Sequence, residues 1–327
     1  MAVSGSIDFT LTRDTCIAQA LAQLGVLGEG EVPTAAQYTD DAITLNLMLK
    51  AWQNKEISQN LIRRVYVWMQ DEKTEYSLST TAASSDESSA DFYFDKLDAA
   101  LSASGTTLSV TTGTGIADSD RIGIELSNGK MHWTTVASGG ATTAPVLTTG
   151  PATAAASGNA VYAYTTKATR PLDILYGVEV AKSTVVGENT VVDGTSIPLE
   201  ILARERYVDL ANKKAESTQV NSLWYDEQWP TGLLHVWPEP TGHGRYLTLW
   251  VQTTIDDMDA AGDNFALPSK WYLAIAFQLA LWLTPKYGVS DAKFKRIQLL
   301  AAEALFLAET GESEDYLRFT PDDRGRT

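Results

Sequence analysis

Residues 232–252 read GLLHVWPEPTGHGRYLTLWVQ, and the alternation within them decides how the middle of the chain is read. Leu234 and Val236 fall on one side of an extended strand, and Leu233, His235 and Trp237 on the other. Past the PEPTGHG turn, Leu247, Leu249 and Val251 oppose Tyr246, Thr248 and Trp250. Both strands are apolar on both faces. The stretch is therefore expected to be a hairpin in a sheet covered on each side.

Outward from this point the pattern changes period. Near the N-terminus Leu11, Ile17, Leu21 and Leu24 fall near a 3.6 repeat, with Thr12 as N-cap and Gly25 or Gly28 as terminator. A second helix is predicted from about Thr39 to Glu56, where Ile43, Leu47 and Ala51 join Leu45, Leu49 and Trp52 in one broad apolar stripe. LIRRVYVWMQ (61–70) then reads as strand. Helix returns at Pro268–Tyr287, with Trp271, Ile275, Leu279 and Trp282 inward and Pro285 and Gly288 marking its end. A last helix spans about Ser290–Glu309, carrying Phe294, Ile297, Leu300, Ala301, Ala304 and Leu305, and Ser290-Asp291 is expected to cap it.

Between Ser79 and Thr166, Thr, Ser, Ala and Gly dominate, and the basic residues from Ser77 to Thr166 are Lys96, Arg121 and Lys130. RIGIELSNGKMHWTTV (121–136) places Asn128-Gly129 between two alternating runs, a hairpin signal with both turn residues at positive φ. TTLSVT, APVLTT and NAVYAYTT read as further short strands, so the segment is a small all-β module rather than a linker. PLDILYGVEV, SIPLEIL and SLWYDEQW add strands, with LARERYVDLAN a short helix or turn between them. The fold class is α+β: N- and C-terminal helices forming one helical bundle, with a central all-β domain, sandwich or barrel-like. The expected division is a bundle of 1–60 and 265–309, a β domain of 61–78 and 167–264, a β insertion of 79–166, and an extended C-terminal arm of 310–327.

Composition narrows function. The 327 residues carry a net charge of −16 with 44% hydrophobic content, a globular chain of the wrong sign for a basic-patch DNA binder. An acidic surface does suit a channel through which DNA slides without sticking. WYLAIAFQLALWL (271–283) falls short of the roughly 18 apolar residues of a membrane span, and the start MAVSGSIDFTLTRD lacks a signal-peptide pattern. The single Cys16 precludes an intrachain disulfide and a Cys-based zinc site, and reads as a small core residue in a reducing compartment.

No catalytic constellation emerges. His132, His235 and His243 have no ligand partner at short spacing and read as structural or surface residues. DDMDAAGD (256–263) imitates a calcium loop, with Gly262 sixth from Asp257, but the twelfth position is Pro268 instead of Glu, so it reads as a turn. The glycines of GTGIADSDRIG (113–123) lack the strand–turn–helix setting of a dinucleotide site. Trp224, Tyr225, Trp229, Trp237, Tyr246 and Trp250 are either a stacking platform for sugars or bases, subunit-interface anchors, or framework filling a sheet; framework is the plainer reading.

Several phrases together resemble a known family. LNLMLKAWQ (45–53), ARERYVDL (203–210), WPTGLLHVWPEP (229–240) and DDMDAAGDNFALPSKWYLAIAFQLALWL (256–283) followed by YGVS are similar to the head-to-tail adaptors of short-tailed bacteriophages, also called packaged-DNA stabilisation, tail accessory or tail tubular A-like proteins. VYAYTT in the Thr-rich module resembles the β insertion of longer members, and the likeness runs from about Leu11 to Glu309. It implies a virion protein of the neck, assembled in the host cytoplasm, with no enzymatic activity and no cofactor or metal. It implies a ring of about twelve copies beneath the portal protein that extends the DNA channel. The implied partners are the portal, other tail proteins (nozzle or tail tube, fibres), further copies of itself, and genomic DNA passing without sequence-specific binding; no membrane is involved. Some relatives are almost wholly helical, so the placement of the β insertion does not carry over. The arm residues Tyr316, Leu317, Arg318 and Phe319 would then anchor in the portal, unless the segment is a disordered tail. Trp224, Trp229, Trp237 and Trp250 would be framework or subunit interface. The alternative is a carbohydrate- or receptor-binding tail component using the aromatic sheet face.

Overall fold

The computed structural model describes residues 9–28, 30–53, 61–80, 87–180, 196–241 and 245–310. The chain is α+β. Helices α1 (Arg13–Leu24) and α2 (Ala35–Trp52) lie near one end, α4 (Tyr272–Tyr287) and α5 (Asp291–Glu309) near the other, with short α3 (Arg204–Val208) among the strands between. It divides into two compact units, Met1–Leu61 with Thr254–Thr327, and Ile62–Thr253.

In the helical unit, local chemistry sets the helix ends. The Thr12 side chain accepts from the Thr15 N–H, and Gly25 takes φ +63° to close α1. α2 begins four residues before the expected Thr39, because Thr34 and Gln37 form a reciprocal capping box: the Gln37 N–H donates to Thr34 Oγ1 (3.3 Å) and Gln37 Oε1 accepts from the Thr34 N–H (2.8 Å). One apolar cluster draws on all four long helices: Ile17 and Leu21, then Leu45, Leu49 and Trp52, then Ile275, Leu279 and Leu283, then Ile297, Ala304 and Ala308. Trp271 meets Trp52 within it, ring centroids 6.0 Å apart.

The inward faces differ in part from expectation. Ile43 and Leu47 of α2 are 59% and 61% exposed; the other row of the expected stripe, Leu45, Leu49 and Trp52, is buried together with Ala42 and Met48. Trp282 and Phe294 also point outward, while α5 buries mostly alanines (Ala301, Ala304, Ala308) with Ile297. Small side chains allow close approach to α4, which leaves the larger ones no room inside. Ser290 occupies the N-cap of α5, but its side chain makes no capping hydrogen bond. Pro285 sits within the last turn of α4, and Gly288 at φ +59° ends that helix.

The second unit is β. One sheet runs β10 (Ser196–Pro198), β9 (Asp173–Val180), β16 (Tyr246–Gln252), β1 (Ile62–Trp68), β3 (Ser88–Ser89); a second runs β11 (Glu200–Ile201), β13 (Ser222–Asp226), β14 (Gly232–Trp237), β2 (Glu75–Leu78). They face each other across a shared core in which Val65, Val67, Leu247 and Leu249 meet Leu223, Leu234, Val236 and Tyr76. A third sheet, from the Thr/Ser-rich segment, runs β4 (Tyr93–Lys96), β8 (Ala160–Tyr164), β5 (Arg121–Glu125), β6 (Met131–Ser138), β7 (Val146–Leu147) around its own core of Ile122, Ile124, Val136 and Val161. TTLSVT contributes only isolated bridges at Thr107 and Val110.

Two turn expectations are corrected. The strands of 232–252 do not pair with each other: β14 joins β13 and β2, whereas β16 joins β1 and β9. Between them β15 (Glu239–Pro240) pairs with β12 (Glu216–Ser217), which carries the chain from one sheet to the other. Alternation reports which face a residue occupies, not which strand lies beside it. At β5–β6 the hairpin forms, but only Gly129 has positive φ (+80°); Leu126 N–H donates to Lys130 O and Gly129 N–H to Leu126 O. That is a three-residue loop with glycine in the left-handed position rather than a two-residue turn.

Candidate interaction surfaces

The two β modules of the second unit meet through aromatic side chains. Tyr66, Trp68 and Tyr246, on the face of the β1–β16 sheet away from its sandwich partner, pack against Phe92, Phe94, Tyr162 and Tyr164. Trp68 stacks on Tyr164 (5.3 Å, 7°) and meets Trp133 edge-on at 5.1 Å. Trp133 in turn covers Gly123 across the β5–β6 pair, where a Cβ would lie 2.5 Å from the indole. At this seam sits a buried charge. Glu87, 1% exposed, accepts from Arg121 through both carboxylate oxygens (Nε to Oε2 3.3 Å) and from the Tyr164 hydroxyl. Burial, with the Glu87 charge, pushes the Tyr164 phenol upward, so it stays a donor. Lys130 adds a surface ion pair to Asp71 at 3.4 Å.

Two of the three basic residues of the Thr-rich segment thus bind acidic groups at the seam. This cluster was not read from sequence, and the scarcity of Lys and Arg there was the available signal.

The four tryptophans do not converge. Trp224 lies on the outer face of β13, stacked on His235 (4.6 Å, 11°), with Tyr207 at 5.1 Å and the Arg204 guanidinium 5.4 Å from its ring. Trp237 shares that face through β14, and its Nε1 donates to Asn212 O at 2.8 Å. Trp229 stands at the β13–β14 turn, 85% exposed. Trp250 belongs to the other sheet and meets Tyr176 at 5.3 Å.

His235 is lowered from its ordinary value of 6.5 by burial, against the opposing pull of Glu75 and Asp226. His132 Nε2 contacts Thr149 O at 3.0 Å, and His243 lies outside the described residues, as do Tyr316, Leu317, Arg318 and Phe319. Around 256–263 the carboxylates take separate partners: Asp257 pairs with Lys50 at 2.7 Å, and Asp263 Oδ2 accepts from the Ala260 N–H at 2.7 Å. Among the described residues no three His, Cys, Asp or Glu are grouped to hold a metal ion. Cys16 is buried, and burial pushes its thiol to about 12, which makes it unreactive. Among the described residues no helix is long and apolar enough to cross a membrane.

No protein-family model and no curated protein matches this chain. The surfaces themselves must then carry the functional reading. Cavities open on the described residues at several places. One of 590 Å³ is lined by Phe92, Tyr93, Tyr164, Asp91 and Asp120; one of 410 Å³ by Gln70, Asp71, Arg121, Lys130 and Trp133; one of 260 Å³ by the 255–267 turn. None gathers a nucleophile with a base and its orienting partner.

Proposed function

We propose that the chain is a structural virion protein, a head-to-tail adaptor of a short-tailed bacteriophage that forms a ring beneath the portal, extends and seals the DNA channel, and offers an attachment platform to the tail. In this reading the four long helices act as one bundle, and the bundle is the ring-forming core.

The observation that carries the reading is apolar surface left unspent on that core. Ile43 and Leu47 on α2, and Leu299, Phe306 and Leu307 on α5, are exposed, although both helices pack on α4 through other faces. A chain that exposes large aliphatic side chains on two separate helices has two different surfaces to bury, as heterologous contacts in a closed ring require. The net charge of −16 supports a DNA path that does not bind its cargo. The resemblance of 45–53 and 256–283 to the adaptors falls on α2 and on the approach to and body of α4, the helix at the centre of the cluster. The carbohydrate-binding alternative requires tryptophans lining one groove, and the dispersal of Trp224, Trp229, Trp237 and Trp250 does not favour it.

The test is reconstitution with the portal protein, read by mass and symmetry. A closed ring coaxial with the portal is expected, and a monomeric appendage outside the channel would defeat the proposal. Deleting residues 310–327 should abolish portal binding with the helices intact by circular dichroism; unchanged binding would remove the arm, with Tyr316, Leu317, Arg318 and Phe319, from the mechanism.

A further inference from the structure

Folding of the β unit does not account for the position of Trp229. Its ring is 85% exposed, yet its loop is ordered: Arg170 donates from Nε to Gln228 O and from Nη2 to Glu227 O, both at 2.8 Å, and its guanidinium lies 5.7 Å from the Trp229 ring centroid. A tip held this way has little conformational freedom left to lose when it binds. Large exposed aromatics beside arginine are the residues that dominate protein interfaces.

The same unit offers a receptor of matching chemistry. The 590 Å³ cavity is walled by Phe92, Tyr93 and Tyr164, and its described lining includes Asp91 and Asp120 but no Lys or Arg. Asp120 is buried, with Oδ2 accepting from the Ala117 N–H and Oδ1 left without a hydrogen-bond partner. Neither aspartate joins an ion pair among the described residues. An indole flanked by a guanidinium fits aromatic walls flanked by carboxylates.

We propose that the Trp229–Arg170 tip of one copy inserts into the Phe92–Tyr93–Tyr164 cavity of a second copy of this chain, with Arg170 facing Asp91 and Asp120. Glu227 on the tip carries the opposite charge, so burial of the indole drives the contact and the guanidinium orients it. Tip and cavity are different surfaces, so the contact is heterologous and can repeat from copy to copy. It rests on the ring reading above, and supplies that ring with a contact made by the β unit.

The full-length chain is followed by sedimentation velocity over a wide concentration range, and by mass on portal rings, with unfolding curves confirming that each variant folds. Trp229→Ala should weaken association about 30-fold or more, the effect of losing one interface hot spot. Thr166→Trp, which places a bulky ring at the exposed rim of the cavity, should do the same. Mixing the two variants pairs an intact cavity with an intact tip, and should restore part of the association that each variant lacks alone; a mixture no stronger than either variant overturns the contact. Association of Trp229→Ala at the wild-type level, alone or on the portal, overturns the tip contact while leaving the ring. A wild-type chain that stays monomeric in both settings overturns ring and contact together.

Discussion

At the scale of single residues, the seam between the β modules depends on Glu87. Its carboxylate is almost wholly buried, and its charge is matched by an Arg121 side chain that is itself one-third exposed. Arg121→Met leaves that carboxylate buried with only the Tyr164 hydroxyl, and should cost about 3 kcal/mol in a urea titration. The double variant Glu87→Gln with Arg121→Met should recover part of the loss, because no uncompensated charge remains. His235 makes a different kind of prediction. Its folded-state pKa lies below the ordinary 6.5, so as pH falls the unfolded chain takes up a proton first. Stability is then complete above about pH 6.5 and declines as pH falls through the range below it. His235→Phe should flatten that decline in denaturation midpoints measured between about pH 7 and 5. Neither residue's surroundings were legible in sequence. Glu87 sits in a serine-rich run, and its partners lie 34 and 77 positions away. The status of His235 as a strand residue followed from alternation alone.

At the scale of elements, β16 shows how a burial pattern arises. Leu247, Leu249 and Val251 enter the sandwich core, while Tyr246 enters the aromatic seam on the opposite face. A strand covered on both sides has no neutral position, so Leu247→Ala should cost about 2–5 kcal/mol by thermal or chemical unfolding. α5 is the contrasting case, with alanines inward and Phe294, Leu299, Phe306 and Leu307 outward. Ala301→Leu should overpack the α4 contact and cost about 1–3 kcal/mol, whereas Leu299→Ala should leave monomer stability nearly unchanged. The ends of α1, α4 and α5 were readable because caps are local: Thr12, Gly25 and Gly288 act within a few residues of their own positions, whereas the Thr34–Gln37 box that starts α2 was missed. Helix faces were readable in part: Ile17, Leu21, Leu24, Trp271, Ile275, Leu279 and Ile297 are buried as expected, whereas Ile43, Leu47, Trp282 and Phe294 are not. A 3.6 period admits more than one apolar stripe on α2, and only the packing on α1 and α4 selects Leu45 and Leu49 over Ile43 and Leu47.

At the scale of the whole molecule, the chain enters and leaves the β unit through neighbouring strands, with Ile62 opposite Gln252. Residues 62–253 are continuous in sequence and contain the sandwich core, the aromatic seam and the third sheet's core. They should fold when expressed alone, with a cooperative unfolding transition; a fragment without dispersed amide signals in NMR would refute this. What the sequence by itself determined was the order of helices, strands and helices, their α+β class and most of their ends, because periodicity and capping are short-range. The pairing of β16 with β1 and β9, the exposure of Trp229 and the Glu87–Arg121 contact were decided only by tertiary structure. Each depends on which of several equally apolar surfaces meet, and that choice is made by the packing of residues far apart in the chain.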